Sequence, residues 1–411
     1  MNVDLGTCRF CNSALRESFA DLGMSPLSNA YPAAADGLKP EVFFPLHAFV
    51  CTNCWLVQLH ELQTPSEIFT EYAYFSSFSD SWLEHSRLFS DAAIARFGLD
   101  AASRVVEIAS NDGYLLKFFK QRGIDVLGVE PAKNVAAEAI KAGVPTLVEF
   151  FGVAQAMRMV ESGQQADLLV GNNVLAHVPD INDFVAGLAL VLKPAGVCSM
   201  EFPHLARLVE GNQFDTIYHE HFSYLSLSTV QRVFAQHGLR VFDVEELSTH
   251  GGSLRVISCR KDAPHAQTGR VEALLEHERA DGYLDVEIYR RFAKKVIDTK
   301  CAFLEFLLGA RRDGKRVVGY GAPAKGNTLL NYCGVRSELI EYTVDRNPYK
   351  QNRLLPGTRI PINAPEEIMR TKPDYVVILP WNLRAEISTQ LAQIREWGGK
   401  FVVPIPRVEV F

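Results

Sequence analysis

The sequence predicts an α/β protein of three units: a small metal-binding N-terminal domain (1–70), a central Rossmann-like α/β domain (71–265) and a C-terminal second Rossmann-like α/β domain (266–411). Three observations predict it. Two C-x-x-C pairs stand in a first stretch with little helical periodicity. From about residue 71, short apolar runs alternate with amphipathic helical stretches, the pattern of a parallel sheet covered on both faces. From Arg316, a strand, a glycine-containing loop and a helix recur in that order.

Taken in order, the first stretch carries the paired cysteines and a Pro/Ala loop, YPAAADGLKP. A helical segment (SDSWLEHSRLFSDAAIARFGL) then leads into strand RVVEIAS, the turn Asn111-Asp112-Gly113 and helix YLLKFFKQRG. Strand DVLGVEP, helix AKNVAAEAIKAG, strand-like PTLVEFF, helix VAQAMRMVESG, strand ADLLVGNNV, helix INDFVAGLALVL and strand GVCSMEFP follow. RVFDVEEL and SLRVISCR lie close together with no helix between them, which predicts an antiparallel end to that sheet. DAPHAQTG reads as a linker, and two helical stretches ending in FAKKVIDTKCAFLEFLLGARRDG precede the last block, with strands RVVGYGA, EYTVDRN and DYVVILP.

The 411 residues allow two to four domains, and 47% hydrophobic with 22% charged residues is an ordinary globular composition. A net charge of −6 argues against a nucleic-acid partner, although a few local cations suffice for an anionic small substrate. There is no apolar run of roughly 18 residues, so no membrane span is expected. The N-terminus lacks the basic and apolar regions of a signal peptide. Four of the eight cysteines form two close pairs and the others are scattered, which predicts a cytoplasmic protein whose paired cysteines are metal ligands rather than disulfides. The oligomeric state is left open, a monomer being favoured.

Cys8-Arg-Phe-Cys11 and Cys51-Thr-Asn-Cys54 are two knuckles that complete a site of four thiolates. Such a set suits a structural Zn2+ ion with no open position for substrate. In the run Glu107-Ile-Ala-Ser110-Asn111-Asp112-Gly113 a buried strand ends in a tight turn that opens a helix, where a nucleotide-type ligand binds. Glu130, followed by Pro131, ends the next strand at the distance expected of a carboxylate on ribose hydroxyls. The turn has one glycine where a dinucleotide fingerprint has three, and a pyrophosphate would sit badly beside Glu107 and Asp112. S-adenosylmethionine fits better, because it carries an ammonium and a sulfonium and no phosphate. The third strand end, Asn172-Asn173-Val-Leu-Ala-His177, would line the other side of that ligand. Taken alone, His177 is as readily a core histidine as a functional one.

Tyr218-His219-Glu220-His221 gathers groups capable of proton transfer, and desolvation beside a carboxylate can tune a histidine into a general base. Strand-like local geometry would place His219 and His221 on one side and Tyr218 and Glu220 on the other. A solvated polar loop is the competing reading, and a metal site there lacks a third ligand at suitable spacing.

The order of CRFC/CTNC, EYAYFSSFSDSW, VEIASNDG, GNNVLAHVPD, IYHEHFSYLS and GYGAPAKGNTLLNY resembles the sugar C-methyltransferases of bacterial deoxysugar pathways over essentially the full length. The resemblance implies an N-terminal zinc-binding domain, a central class I methyltransferase domain using S-adenosylmethionine, and a C-terminal Rossmann-like domain. It implies methylation of carbon 3 of a nucleotide-linked 4-keto-6-deoxysugar, thymidine diphosphate being the favoured carrier, in antibiotic or polysaccharide biosynthesis. It further implies that His221 is the general base with Glu220 beside it, that Tyr72 and His177 hydrogen-bond the ketone oxygen, and that Tyr218 lines the site.

In the C-terminal block, Gly319-Tyr-Gly321-Ala-Pro-Ala-Lys325-Gly-Asn327 has the wrong glycine spacing for a dinucleotide site. Either the loop, Lys325 and Asn327 hold the sugar nucleotide's diphosphate, the favoured reading, or the unit only covers the active site. Ser76, Ser77 and Ser79 would assist the diphosphate from the other side. The competing functions are an O- or N-methyltransferase on a sugar or other small metabolite, a zinc-containing RNA methyltransferase or nucleic-acid binder, and an NAD-dependent oxidoreductase.

Overall fold

The computed structural model describes residues 5–64 and 75–411; Tyr72 lies outside them. Strands β1 (Glu17–Ser25), β2 (Phe44–Val50) and β3 (Val57–Leu59) form an antiparallel sheet that follows the first cysteine knuckle and encloses the second. The expectation for this stretch contained no strands. Their alternation is broken by register shifts between Ser18 and Ala20 and between Asp21 and Met24, which removes the period-2 signal.

The central sheet begins with β4 (Arg104–Ile108), β5 (Asp125–Val129), β6 (Thr146–Leu147), β7 (Ala166–Asn172) and β8 (Leu192–Pro203), all parallel. A two-residue strand, β9 (Ser223–Tyr224), leaves this unit and pairs with β3, so the first sheet is completed by the chain just after His221. β10 (Leu239–Leu247) and β11 (Ser253–Arg260) then return to the central sheet, whose order is β10-β11-β8-β7-β4-β5-β6. The first five strands thus run in the doubly wound order 3-2-1-4-5, and β11 lies antiparallel to both neighbours, as the adjacent strand runs predicted.

In the C-terminal unit, β12 (Val317–Tyr320), β13 (Thr343–Val344), β14 (Arg353–Leu354), β15 (Pro361–Asn363), β16 (Tyr375–Ile378), β17 (Lys400–Val403) and β18 (Glu409–Val410) form a second sheet in the order β14-β15-β13-β12-β16-β17-β18. Its inner five strands are parallel and only the edges are antiparallel. The helix Val286–Arg312 buries Phe292 and Phe303, and Phe292 stacks on Phe19 of β1 with ring centroids 4.5 Å apart. On the other side, Cys8, Phe10 and Cys54 share one core with Val106, Leu175 and Phe184 of the central unit. The three units are therefore joined by continuous apolar packing, which excludes water and fixes the loops between them.

Candidate active site

The first functional loop starts where β4 ends. Ala109, Asn111 and Gly113 all have positive φ, so the backbone turns sharply and Glu130 at the end of β5 closes the turn. One oxygen of Glu130 accepts the Asn111 N–H at 3.0 Å and the other the Ala132 N–H at 2.9 Å, across Pro131. Around this turn, Ser110 Oγ, Asp112 Oδ1, Asn172 Oδ1 and Asn173 Oδ1 are buried without a hydrogen-bond partner, and the carboxyl of Glu107 is buried with the Tyr114 hydroxyl beside it. Each can accept a hydrogen bond from a ligand. Burial next to Glu130 and Asp112 pushes the Glu107 carboxyl well above the usual carboxylate range. A cradle of unmet acceptors calls for a cationic, donor-rich ligand, and S-adenosylmethionine presents an ammonium, a sulfonium and ribose hydroxyls. A pyrophosphate would add negative charge to this cradle. The residues therefore fit S-adenosylmethionine.

Segment 75–79 lies over the same loop. The Ser76 N–H donates to Asn111 Oδ1 at 3.0 Å, and Ser77 donates to Asp112 Oδ2 through N–H (3.1 Å) and hydroxyl (2.5 Å). Ser79 caps the helix Asp80–Phe97, its hydroxyl accepting the Trp82 N–H at 3.3 Å. The first two serines are thus brought to the loop that follows β4.

The chain from Tyr218 to His221 is a turn, closed by the His221 N–H on the Tyr218 carbonyl at 2.8 Å. This corrects the strand-like alternation. Residues three apart face each other, so the rings of Tyr218 and His221 lie 4.0 Å apart, while His219 turns toward the Pro45 carbonyl at 3.2 Å. His177, in the short turn after β7, meets the His221 ring edge-on at 4.7 Å. His221 Nδ1 donates to the Thr216 carbonyl at 2.8 Å, because a carbonyl can only accept; Nε2 of the neutral ring is then an acceptor. Burial, with His177, His250 and Lys325 nearby, pushes His221 well below its usual range, and burial brings His177 to about 4. Both rings are neutral at physiological pH. Glu220 reaches the other way, accepting from Asn29 Nδ2 at 2.7 Å, and desolvation raises it to about 7.

On the C-terminal unit, Lys325 donates to Asn382 Oδ1 at 2.8 Å and stands 4.7 Å over the Trp381 ring. The Trp381 indole N–H donates to Asp215 at 2.8 Å, and burial lifts Asp215 to about 6. Asn327 donates to the Ser28 carbonyl at 2.6 Å. Lys325 is thus near the histidine cluster, whereas Asn327 is engaged by the N-terminal chain. The strand-end crevice of this sheet is occupied by its own chain: Tyr31 (2.6 Å) and Lys350 (2.8 Å) both donate to the Ala322 carbonyl, and Asp345 accepts the Ala322 N–H at 2.7 Å.

Sequence reasoning missed His250, which sits at φ 54 in Thr249-His250-Gly251-Gly252 and faces Asn173 Nδ2 at 3.3 Å. The glycine pair was the signal, since a Cβ on Gly251 would lie 2.7 Å from the Trp381 ring. It also missed Glu201, whose carboxylate bonds His85 (2.9 Å), Arg255 (2.7 Å) and Thr249 (3.0 Å) beneath that loop.

The sulfur atoms of Cys8, Cys11, Cys51 and Cys54 all lie within 4.8 Å of one another, close enough for one tetrahedral ion with four thiolates. No helix among the described residues is long and apolar enough to cross a membrane.

Comparison with known proteins matches a zinc binding domain over residues 8–69, a methyltransferase domain over 82–244 and a C-methyltransferase C-terminal domain over 248–406. The C-methyltransferase NovU of Streptomyces niveus is 38% identical over 403 residues, 98% of this chain and 96% of that protein. A ubiquinone biosynthesis O-methyltransferase of Rhodopseudomonas palustris (strain BisB18) is 30% identical over 115 residues, 26% of this chain and 45% of that protein. Among solved structures, the magnesium protoporphyrin IX methyltransferase of Synechocystis PCC 6803 with bound S-adenosylmethionine is similar over 47% of this chain and 88% of that chain, at 13% identity and a TM-score of 0.33.

Proposed function

The chain belongs to the S-adenosylmethionine-dependent C-methyltransferase family, with a zinc-binding N-terminal domain, and from that premise we propose that it methylates carbon 3 of a thymidine-diphosphate-linked 4-keto-6-deoxysugar. The observation that carries the mechanism is the His221 Nδ1–H bond to the Thr216 carbonyl at 2.8 Å. It leaves Nε2 of a neutral imidazole as the base in a desolvated site. A sugar carbon becomes nucleophilic only when an adjacent ketone acidifies its proton, a base removes it and donors hold the resulting enolate oxygen. His221 takes the proton from carbon 3, while His177 and Tyr218, in ring contact with His221, line the enolate. Tyr72, placed by its motif alone, completes that set.

Bound S-adenosylmethionine supplies an electrophilic methyl group. Glu107, Ser110, Asp112, Asn172 and Asn173 hold its polar and charged ends, and Glu130 fixes the turn at Asn111. Gly113, at φ 77, lets that turn open the following helix, where a Cβ would come within 3.0 Å of Val144. Ser76 and Ser77 cover this loop, and Ser79 starts the helix that carries the cover. Lys325, with Asn327 anchoring its helix, offers a cation close to His221 for the diphosphate. The domain limits read from the sequence, 1–70, 71–265 and 266–411, form part of the same proposal.

The test is turnover of His221→Ala against binding of S-adenosylmethionine by calorimetry. Turnover should fall to near background with affinity unchanged. Near-normal turnover removes His221 from the role of base.

A further inference from the structure

Arg9 stands between Cys8 and Cys11, so the metal knuckle fixes its backbone. Its N–H donates to Gln58 Oε1 at 2.9 Å, and Gln58 Nε2 reaches the Cys8 sulfur at 3.2 Å. The guanidinium projects out of the knuckle into the central unit. Nη1 donates to the carbonyls of Val178 (3.3 Å) and Pro179 (2.5 Å). Nη2 donates to the Phe222 carbonyl and to Ser223 Oγ at 2.9 Å, and the guanidinium carbon lies 5.8 Å from the Phe222 ring centroid. Val178 and Pro179 directly follow His177; Phe222 and Ser223 directly follow His221. One planar cation therefore ties together the two segments whose histidines meet at 4.7 Å. Asn182 binds the knuckle in return, donating to the carbonyls of Arg9 (3.2 Å) and Phe10 (3.0 Å).

We propose that Arg9 is a positioning residue for methyl transfer, through which the zinc knuckle sets the distance and angle between His177 and His221. This rests on the assignment of His221 as base. The fork of the guanidinium is what the task requires: four acceptors on two chain segments are met by one rigid group, and a lysine ammonium cannot span them in the same geometry. The zinc then acts on the active site through geometry and takes no part in the reaction, in keeping with four thiolate ligands and no open position.

The experiment compares wild type, Arg9→Lys and Arg9→Ala as zinc-loaded full-length proteins. Turnover, zinc content, S-adenosylmethionine affinity by calorimetry and the ring NMR signals of the histidines are measured. Arg9 touches neither the thiolates nor the cofactor turn, so zinc content and cofactor affinity should hold within about threefold while kcat falls about 100-fold in both variants, the scale of a 1 Å misplacement at a reacting centre. The His177 and His221 signals should shift, and millimolar guanidinium should restore part of the turnover of Arg9→Ala but not of His221→Ala. Turnover within about threefold of wild type in both variants overturns the proposal. So does joint loss of zinc, cofactor affinity and turnover without rescue by guanidinium, which would mean that Arg9 only holds the fold. An active His221→Ala variant would instead sink the base assignment.

Discussion

Replacing Glu220 by Gln should make the protein more stable, by an amount that grows as pH rises from about 4.5 to about 7. Glu220 is 6% exposed, and its carboxyl is raised from 4.5 to about 7 chiefly by desolvation, against the opposing Asn29 hydrogen bond and the Lys350 charge. Between pH 4.5 and 7 the folded chain keeps a proton that the unfolded chain has released. Unfolding free energy contributed by this group therefore falls as pH rises through that window. The span from 4.5 to about 7 corresponds to about 3 kcal/mol. Relaxation around the buried charge reduces this to about 2 kcal/mol, because the effective protein dielectric exceeds that of a dry interior. Gln keeps an oxygen for the Asn29 amide and removes the charge. Urea unfolding of both proteins at a series of pH values, followed by circular dichroism, reads the difference. The variant should match wild type near pH 4 and exceed it by about 2 kcal/mol near pH 8. A difference that does not change with pH would refute the reasoning, as would a wild type that gains on the variant as pH rises.

Three further outcomes are expected. Burial holds His177 at about 4, so acidification from 6.5 toward 4 protonates the unfolded chain first and destabilises the fold; His177→Gln should lose stability less steeply in urea titrations across that window, and equal slopes would count against it. A Cβ at Gly128 would lie 2.3 Å from Ser110 Oγ and 3.0 Å from Ser110 Cβ. Gly128→Ala should therefore cost about 1–3 kcal/mol and weaken S-adenosylmethionine about tenfold by calorimetry, and unchanged affinity would remove Ser110 from the cofactor cradle. Cys54→Ser removes one of the four clustered thiolates, so metal analysis should find much less than one zinc per chain together with a lower melting temperature; full zinc occupancy would contradict the four-thiolate site.

The motifs that were legible are those in which one short segment carries its own physics. The C-x-x-C knuckles, the strand–turn–helix at Asn111 and the antiparallel end of the central sheet all arise from local spacing, and the structure builds each of them. What escaped depends on contacts distant in sequence. The strands of the first sheet are irregular and one is supplied by Ser223–Tyr224, far along the chain. Tyr218 and His221 share a face because the chain turns there, a geometry that strand alternation cannot anticipate. His250 is a lone histidine in a glycine loop, brought to Asn173 only by the hairpin that returns β11 to β8. Ser76 and Ser77, expected on the side of the diphosphate opposite Lys325, donate their backbone N–H groups to Asn111 and Asp112 at the end of β4, contacts that no local spacing announces. Nothing in the sequence singles out Arg9 inside its metal motif, because its reach to Pro179 and Ser223 exists only once three segments have packed.

Carbon methylation through an enolate is tested most directly by mass spectrometry in heavy water. Purified protein is incubated with a panel of 4-keto-6-deoxy nucleotide-sugars, with and without S-adenosylmethionine. A product heavier by one methylene is expected with the donor present, and deuterium should enter carbon 3 of the same sugar when the donor is left out. Methylation with no exchange at carbon 3 would contradict the enolate route and point to transfer onto oxygen or nitrogen.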